Sequence, residues 1–233
     1  MNPNELENLN RIEENHWWYK ERRRILKLLL TKFKIKGNAL DIGAGAGRNT
    51  RVLLEHGLDA LAIENEETGI NLCKKNHIPC LKGDVLNLPF ANNSFNLITL
   101  MDVLEHIDDH EKAIREIYRI LKVNGMLILS VPLDMKLWSS HDEISLHKRR
   151  YEPKEILQLI EKEKFEIISS FNWNTLMKPI VYLRRKHKIG NDLNPPSLIL
   201  NHLLRAVIAL ERSKFFTKIP GVTYFVVAQK FQE

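Results

Sequence analysis

The chain of 233 residues has only two cysteines, Cys73 and Cys80, and neither belongs to a C-x-x-C pair. That excludes a disulfide framework and predicts reduced, partly buried thiols in a cytosolic protein. The opening residues Met1-Asn2-Pro3-Asn4-Glu5 carry no basic stretch followed by an apolar core, so no secretory signal is expected. No uninterrupted apolar run approaches the roughly twenty residues needed to cross a bilayer, and a soluble, cytoplasmic protein is expected. Neither the cysteines nor the histidines show zinc spacing, and Asp102 alone makes no cation site, so no metal is expected. A platform of interleaved basic and aromatic residues that would read nucleic acid is also missing; Trp17 and Trp18 with Arg22, Arg23 and Arg24 come nearest to one.

What is present is ordinary for a globular chain: 44% apolar and 27% charged residues, enough for one α/β domain with a sizeable core. The net charge of +6 fits a solvated lysine-rich face, or a preference for an anionic partner.

Glycine is scarce, and three of the ten glycines fall in one stretch, Ala39-Leu40-Asp41-Ile42-Gly43-Ala44-Gly45-Ala46-Gly47-Arg48. An apolar strand there ends in an acid and runs through alternating glycines into a helix. Glycine tolerates positive φ, and its missing Cβ lets a ligand lie against the backbone. The dinucleotide fingerprint would put its third glycine where Arg48 stands, and Gly47 comes one residue early. The spacing instead resembles motif I of the class I S-adenosylmethionine (SAM) dependent methyltransferases.

Strand and helix patterns then alternate. Asn38 to Ile42 reads as a strand, Asn49 to His56 as a helix, and Leu58 to Ile63 as a second strand ending at Glu64, where a carboxylate can accept hydrogen bonds from both ribose hydroxyls. Thr68 to His77 reads as a helix and Ile78 to Val85 as a third strand, with Asp84 placed to accept from an adenine amino group. Ser94 to Leu100 makes a fourth strand, His110 to Leu121 a helix, and Met126 to Pro132 a fifth strand after an Asn124-Gly125 turn. Phe165 to Phe171 and Thr223 to Lys230 are expected as the sixth and seventh. The succession predicts a doubly wound, mostly parallel sheet with its site at the strand carboxyl ends.

Taken in order, Asp-x-Gly-x-Gly-x-Gly, Glu64, Gly83-Asp84-Val85, Leu88-Pro89-Phe90, Ser94-Phe95-Asn96-Leu97-Ile98 and Asp102-Val103-Leu104-Glu105-His106 are similar to the type 11 group of those methyltransferases, over roughly residues 37 to 135. The resemblance implies a seven-stranded Rossmann-like fold with an antiparallel seventh strand, and SAM as the cofactor. It also implies cofactor contacts from Asp41, Gly43, Gly45, Gly47, Glu64, Asp84, Val85, Met101 and His106. The expected reaction is methyl transfer to an oxygen or nitrogen of a small-molecule, sugar or lipid-linked acceptor. A non-catalytic SAM-binding subunit and a NAD-binding oxidoreductase are the alternatives.

Residues 1–36 are expected as a helical cap, in which His16-Trp17-Trp18-Tyr19 either closes over the cofactor or packs on the sheet. Residues 136–160 and 175–218 stand as substrate-side elaborations of the single domain. Leu137 to Tyr151 concentrates titratable groups just past the fifth strand. If the acceptor must lose a proton, His141 is the first candidate to take it and His147 the second, with Arg149, Arg150 and Tyr151 as acceptor contacts. The helix expected across Leu198 to Leu210, near the basic run Arg184 to Lys188, is suited to packing on the domain, to a homodimer interface, or to peripheral membrane contact.

Overall fold

The computed structural model describes residues 3–186, 197–211 and 216–231. His187 and Lys188 of the basic run, and parts of the 175–218 elaboration, lie outside the described residues.

The seven strands are β1 (Asn38–Ile42), β2 (Asp59–Glu64), β3 (Cys80–Lys82), β4 (Phe95–Met101), β5 (Leu121–Pro132), β6 (Phe165–Trp173) and β7 (Thr223–Lys230). They form one sheet in the order β3-β2-β1-β4-β5-β7-β6. Strands β1 to β5 run parallel, as the pattern predicts, and β7 lies antiparallel to both β5 and β6, the antiparallel seventh strand that the resemblance implies. The strand order reverses between β1 and β4, and the crevice beyond their carboxyl ends is where such sheets bind ligands.

Period-two burial shows why these segments are strands. Along β5, Leu127, Leu129 and Val131 enter one core and Met126 and Ile128 the other; along β7, Tyr224, Val226 and Ala228 alternate with Phe225 and Val227. The first core is covered by α5 (His110–Ile120) and α7 (Pro153–Lys162), the second by α2 (Trp17–Lys32) and α3 (Arg48–Glu55). Helix α5 starts where Asp109 accepts from the Lys112 amide at 2.9 Å, and it buries Ala113, Ile114, Ile117 and Ile120 on one face.

Two predicted elements differ. The third strand shrinks to Cys80–Lys82, because Gly83 to Leu86 turns at Asp84, whose Oδ1 accepts from the Leu86 amide at 2.9 Å. The fifth strand begins at Leu121 rather than Met126: Leu121 pairs with Phe95, the register then slips, and Asn124 takes φ +61° in the bulge.

The N-terminal helices α1 (Pro3–Ile12) and α2, and the late helices α8 (Lys178–Lys186) and α9 (Leu198–Leu210), meet over the crevice. Trp17, Met177 and Ile208 bury one another, and the Trp17 amide donates to Asn201 Oδ1 at 2.9 Å. Trp18 turns the other way, onto Trp173, with ring centroids 4.5 Å apart. Adjacent tryptophans thus serve two apolar contacts that no single helix face could provide. No helix among the described residues is long and apolar enough to cross a membrane.

Phe225 is fully buried and stacks on Phe171 at 5.2 Å. Phe225→Ala is expected to lose about 3–5 kcal/mol of stability, whereas Leu183→Ala, at a side chain 56% exposed, should stay within about 0.5 kcal/mol of the parent. Urea unfolding midpoints check this; equal losses would contradict the core assignment.

Candidate functional site

A cavity of about 1020 Å³ opens at the carboxyl ends of β1 to β5 and beneath the helical cover. One side of it is built from the glycine turn. Gly45 has φ +57°, and a Cβ there would meet nothing closer than Leu6 Cδ2 at 3.9 Å, so the backbone is open to a ligand. Gly47, at φ +76°, differs: a Cβ would fall 2.7 Å from Ile78 Cγ1. It packs against the segment before β3 and does not line the cavity. Asp41 does not line it either. Its fully buried carboxylate accepts from Thr50 Oγ1 and Thr99 Oγ1, both at 2.6 Å. Burial raises its pKa against the pull of those hydroxyls. For Asp41 and Gly47 the expected contact with cofactor is therefore corrected to support of the turn that makes it.

Gly43, Gly45, Glu64, Asp84, Val85, Met101, His106, His141 and His147 all line the cavity. Glu64 ends β2 as predicted. Its Oε2 accepts from the Gly45 amide at 2.7 Å, and its Oε1 from the amides of Asn65 and Glu66 at 2.8 and 3.1 Å. Those bonds fix the carboxylate and leave acceptor capacity for a diol. Gly69, unnoticed in the sequence, provides room for it: a Cβ there would lie 2.6 Å from Glu64 Cγ. An open glycine backbone, a fixed carboxylate one strand away and an exposed Asp84 in the turn after the next strand fit the nucleoside and chain of SAM.

The other side gathers around β4 and β5. Glu105 and His106 sit in a 3-10 turn, Leu104–His106, directly after β4. Glu105 is fully buried, and burial together with nearby Asp102 pushes its carboxyl well above the usual range. His106 is lowered to about 4, chiefly by burial and then by His147, which leaves it a neutral imidazole at neutral pH. The His106 and His147 ring centroids are 4.7 Å apart, those of His141 and His147 6.0 Å.

The segment 137–151 lacks a helical period because it folds around one carboxylate. Asp142, fully buried, meets His147 Nδ1 at 2.8 Å, accepts from Arg150 Nε at 2.8 Å and from the Ser139 amide at 2.9 Å, and has Arg185 Nη1 at 3.6 Å. Burial pushes its pKa up, but the hydrogen bond with His147 and the charges of Arg150 and Arg185 outweigh that and hold the carboxyl well below its ordinary value. A short helix, α6 (Ser140–Ile144), starts at this Ser139–Asp142 capping box.

The neighbour that sequence order gave to His141 thus orients His147 instead. Arg150 lines the cavity but is buried on Asp142 and the Leu133 carbonyl; Arg149 reaches the Asp108 carbonyl, and the Tyr151 hydroxyl lies 2.9 Å from His110 Nδ1. Arg149 and Tyr151 do not line the cavity, which corrects their expected contact with an acceptor. Sequence reasoning did not single out Glu105 or Asp142, since neither spacing nor period marks an acid that the fold buries.

Arg22 of α2 forms an ion pair with Asp102, which also accepts from Ser130 Oγ at 2.7 Å. Asp102 holds φ +56° at the end of β4. The cover is thereby tied to the crevice by charge at its centre and by Trp17 and Trp18 at its rim.

Comparison with known proteins agrees with this geometry. Residues 40–129 match the model of a methyltransferase domain family. The chain is similar to the demethylmenaquinone methyltransferase of Renibacterium salmoninarum, 31% identical over 93 residues that make up 39% of each chain. It is also similar to the ubiquinone/menaquinone biosynthesis C-methyltransferase UbiE of Klebsiella pneumoniae, 32% identical over 104 residues, 43% of this chain and 41% of that one. The chain thus spans about two fifths of the length of these two curated relatives. Among solved structures, a SAM-dependent methyltransferase from Thermotoga maritima superposes with a TM-score of 0.63 at 20% identity, covering 97% of this chain and 95% of the other. The glycine turn at the switch point and the antiparallel seventh strand give this chain the fold of the solved SAM-dependent methyltransferase, and the stretch from β1 to β5 matches the methyltransferase domain model.

Proposed function

We propose that the protein transfers the methyl group of SAM to an oxygen or nitrogen of a small-molecule, sugar or lipid-linked acceptor. The observation that carries the reading is the continuity of the cavity, which joins Gly45, Glu64 and Asp84 on the β1 to β3 side with Glu105, His106, His141 and His147 on the β4 and β5 side. When bound, SAM supplies a methyl group on a cationic sulfur that needs no further activation. The chain's own contribution is then to align the acceptor and keep water away. Trp17, Trp18, Met177 and Leu204 from the cover line the cavity and serve the second purpose.

Glu64 and Asp84 are proposed to hold the nucleoside as acceptors, and Gly43, Gly45, Val85, Met101 and His106 to shape its bed. An acceptor that must lose a proton is proposed to give it to His141 first and to His147 second, both of which line the cavity. An imidazole, with an ordinary pKa of about 6.5, can take a proton at neutral pH.

A ring carbon of a quinol is the second reading, favoured by the similarity to quinone methyltransferases. That similarity covers about two fifths of the chain, and His141 and His147 fall outside the stretch matched by the family model. The first reading is preferred for that reason.

Glu64→Ala and Asp84→Ala are each expected to weaken SAM binding about tenfold or more, the scale of one charge-assisted hydrogen bond. Calorimetry on variants with parental circular dichroism tests it, and parental affinity in both would overturn the assignment of the nucleoside end. His141→Ala should keep SAM affinity while lowering methyl transfer about a hundredfold. Labelled methyl from SAM, offered with hydroxyl, amine and naphthoquinol acceptors, identifies the acceptor class. Label appearing on the quinol ring alone would replace the first reading by the second, and full transfer by the His141 variant would remove its role.

A further inference from the structure

The fully buried Glu105 carboxyl has no hydrogen-bond partner on either oxygen, and the buried Nδ1 of His106 beside it has none. His147 faces the same space, its Nε2 3.9 Å from Glu105 Oε1. One donor atom from each of the three residues lies within 4.8 Å of the other two. Burying a carboxyl and an imidazole nitrogen without partners is unfavourable, and donors that converge on one point are suited to a shared partner.

The far side of the His147 ring is occupied. His147 Nδ1 lies 2.8 Å from Asp142 Oδ1, which is itself held by Arg150 and Ser139. The His147 imidazole is therefore oriented by the bond at Nδ1 while its Nε2 faces Glu105. Metal-binding histidines are held in the same way by carboxylates and carbonyls behind them.

We propose that Glu105, His106 and His147 bind one divalent first-row transition cation of the zinc class. Two imidazoles and a carboxylate suit zinc and its neighbours, whereas magnesium and calcium prefer all-oxygen sets. Ligand bonds of about 2.0–2.2 Å require the three donors to close in on the ion. Three protein ligands leave a coordination position open, and all three residues line the cavity, so that position faces the acceptor. There the cation would bind and polarise an acceptor oxygen; this part rests on the methyl-transfer reading, but the site itself does not. The sequence predicted no metal because Glu105 and His106 are adjacent and His147 lies on a distant segment, a spacing that matches no compact zinc pattern.

The test uses the full chain freed of metal by chelation and titrated with Co²⁺. Saturation at one equivalent with visible d–d absorption is expected, reversed by Zn²⁺ and unaffected by millimolar Mg²⁺. Glu105→Gln and His147→Ala should each lower Co²⁺ affinity more than about tenfold, while His141→Ala keeps the stoichiometry and spectrum. Lack of saturable binding, or an unchanged spectrum and affinity in both ligand variants, would overturn the site. Should those variants fail to fold, zinc-edge X-ray absorption of the loaded parent decides: two imidazoles among nitrogen and oxygen donors support it, and sulfur or all-oxygen coordination refutes it. SAM titration of the same metal-free sample separates the two proposals, since SAM binding without any Co²⁺ binding refutes only the metal, and Co²⁺ binding without SAM binding refutes only the methyl-transfer reading.

Discussion

One buried carboxylate fixes the crevice on which the rest depends. Asp41, at the end of β1, receives hydroxyls from Thr50 on α3 and Thr99 on β4 and so ties three elements together where the strand order reverses. Hydrogen bonds from neutral donors to a buried charged acceptor are stronger than those in water, and losing one leaves the acceptor unsatisfied. The glycine turn begins two residues later. Its course past Gly45 is pinned from the other side by the Glu64 carboxylate, so β1 and β2 set the turn between them. The same bond places Glu64 where a diol would meet it.

Above that frame, charge is used to hold what apolar packing alone would leave loose. Arg22 brings α2 to Asp102 and Ser130, and Glu211 accepts from the Thr175 amide at 3.0 Å and also from that of Leu176, joining the chain beyond α9 to the segment after β6. The late helices thus pack on the N-terminal ones and line the cavity with them. Asp142 does the corresponding work at the β5 side. Such networks gain their value from complete satisfaction, and Asp142 is satisfied by a ring nitrogen, two guanidinium groups and an amide, while Glu105, a few ångströms from His147, is left without a donor. The contrast between the two acids distinguishes an acid that organises the loop from one that awaits a ligand.

The sheet was legible because its signals are local: β1 and β7 are short runs buried on both faces, and Glu64 closes β2 as an acid at the strand end. The glycine turn was legible for the same reason, though not which glycine packs and which faces a ligand, since Gly47 differs from Gly45 only in the nearness of Ile78, a residue thirty-one positions away. The β4 and β5 side was the least legible. His141 and Asp142 are neighbours in sequence, but the turn of α6 sends Asp142 inward to His147 and Arg150. Arg149, Arg150 and Tyr151 read as one polar cluster, yet alternate residues of an extended stretch face opposite ways, and each found a different partner.

The central claim is that one cavity brings cofactor and acceptor chemistry together, and a crystal structure with S-adenosylhomocysteine tests it most directly. The ribose is expected against Glu64 and the adenine against Asp84, with the thioether sulfur directed toward the space enclosed by Glu105, His106, His141 and His147. An adenosine bound elsewhere, or a sulfur turned away from those four residues, would contradict it.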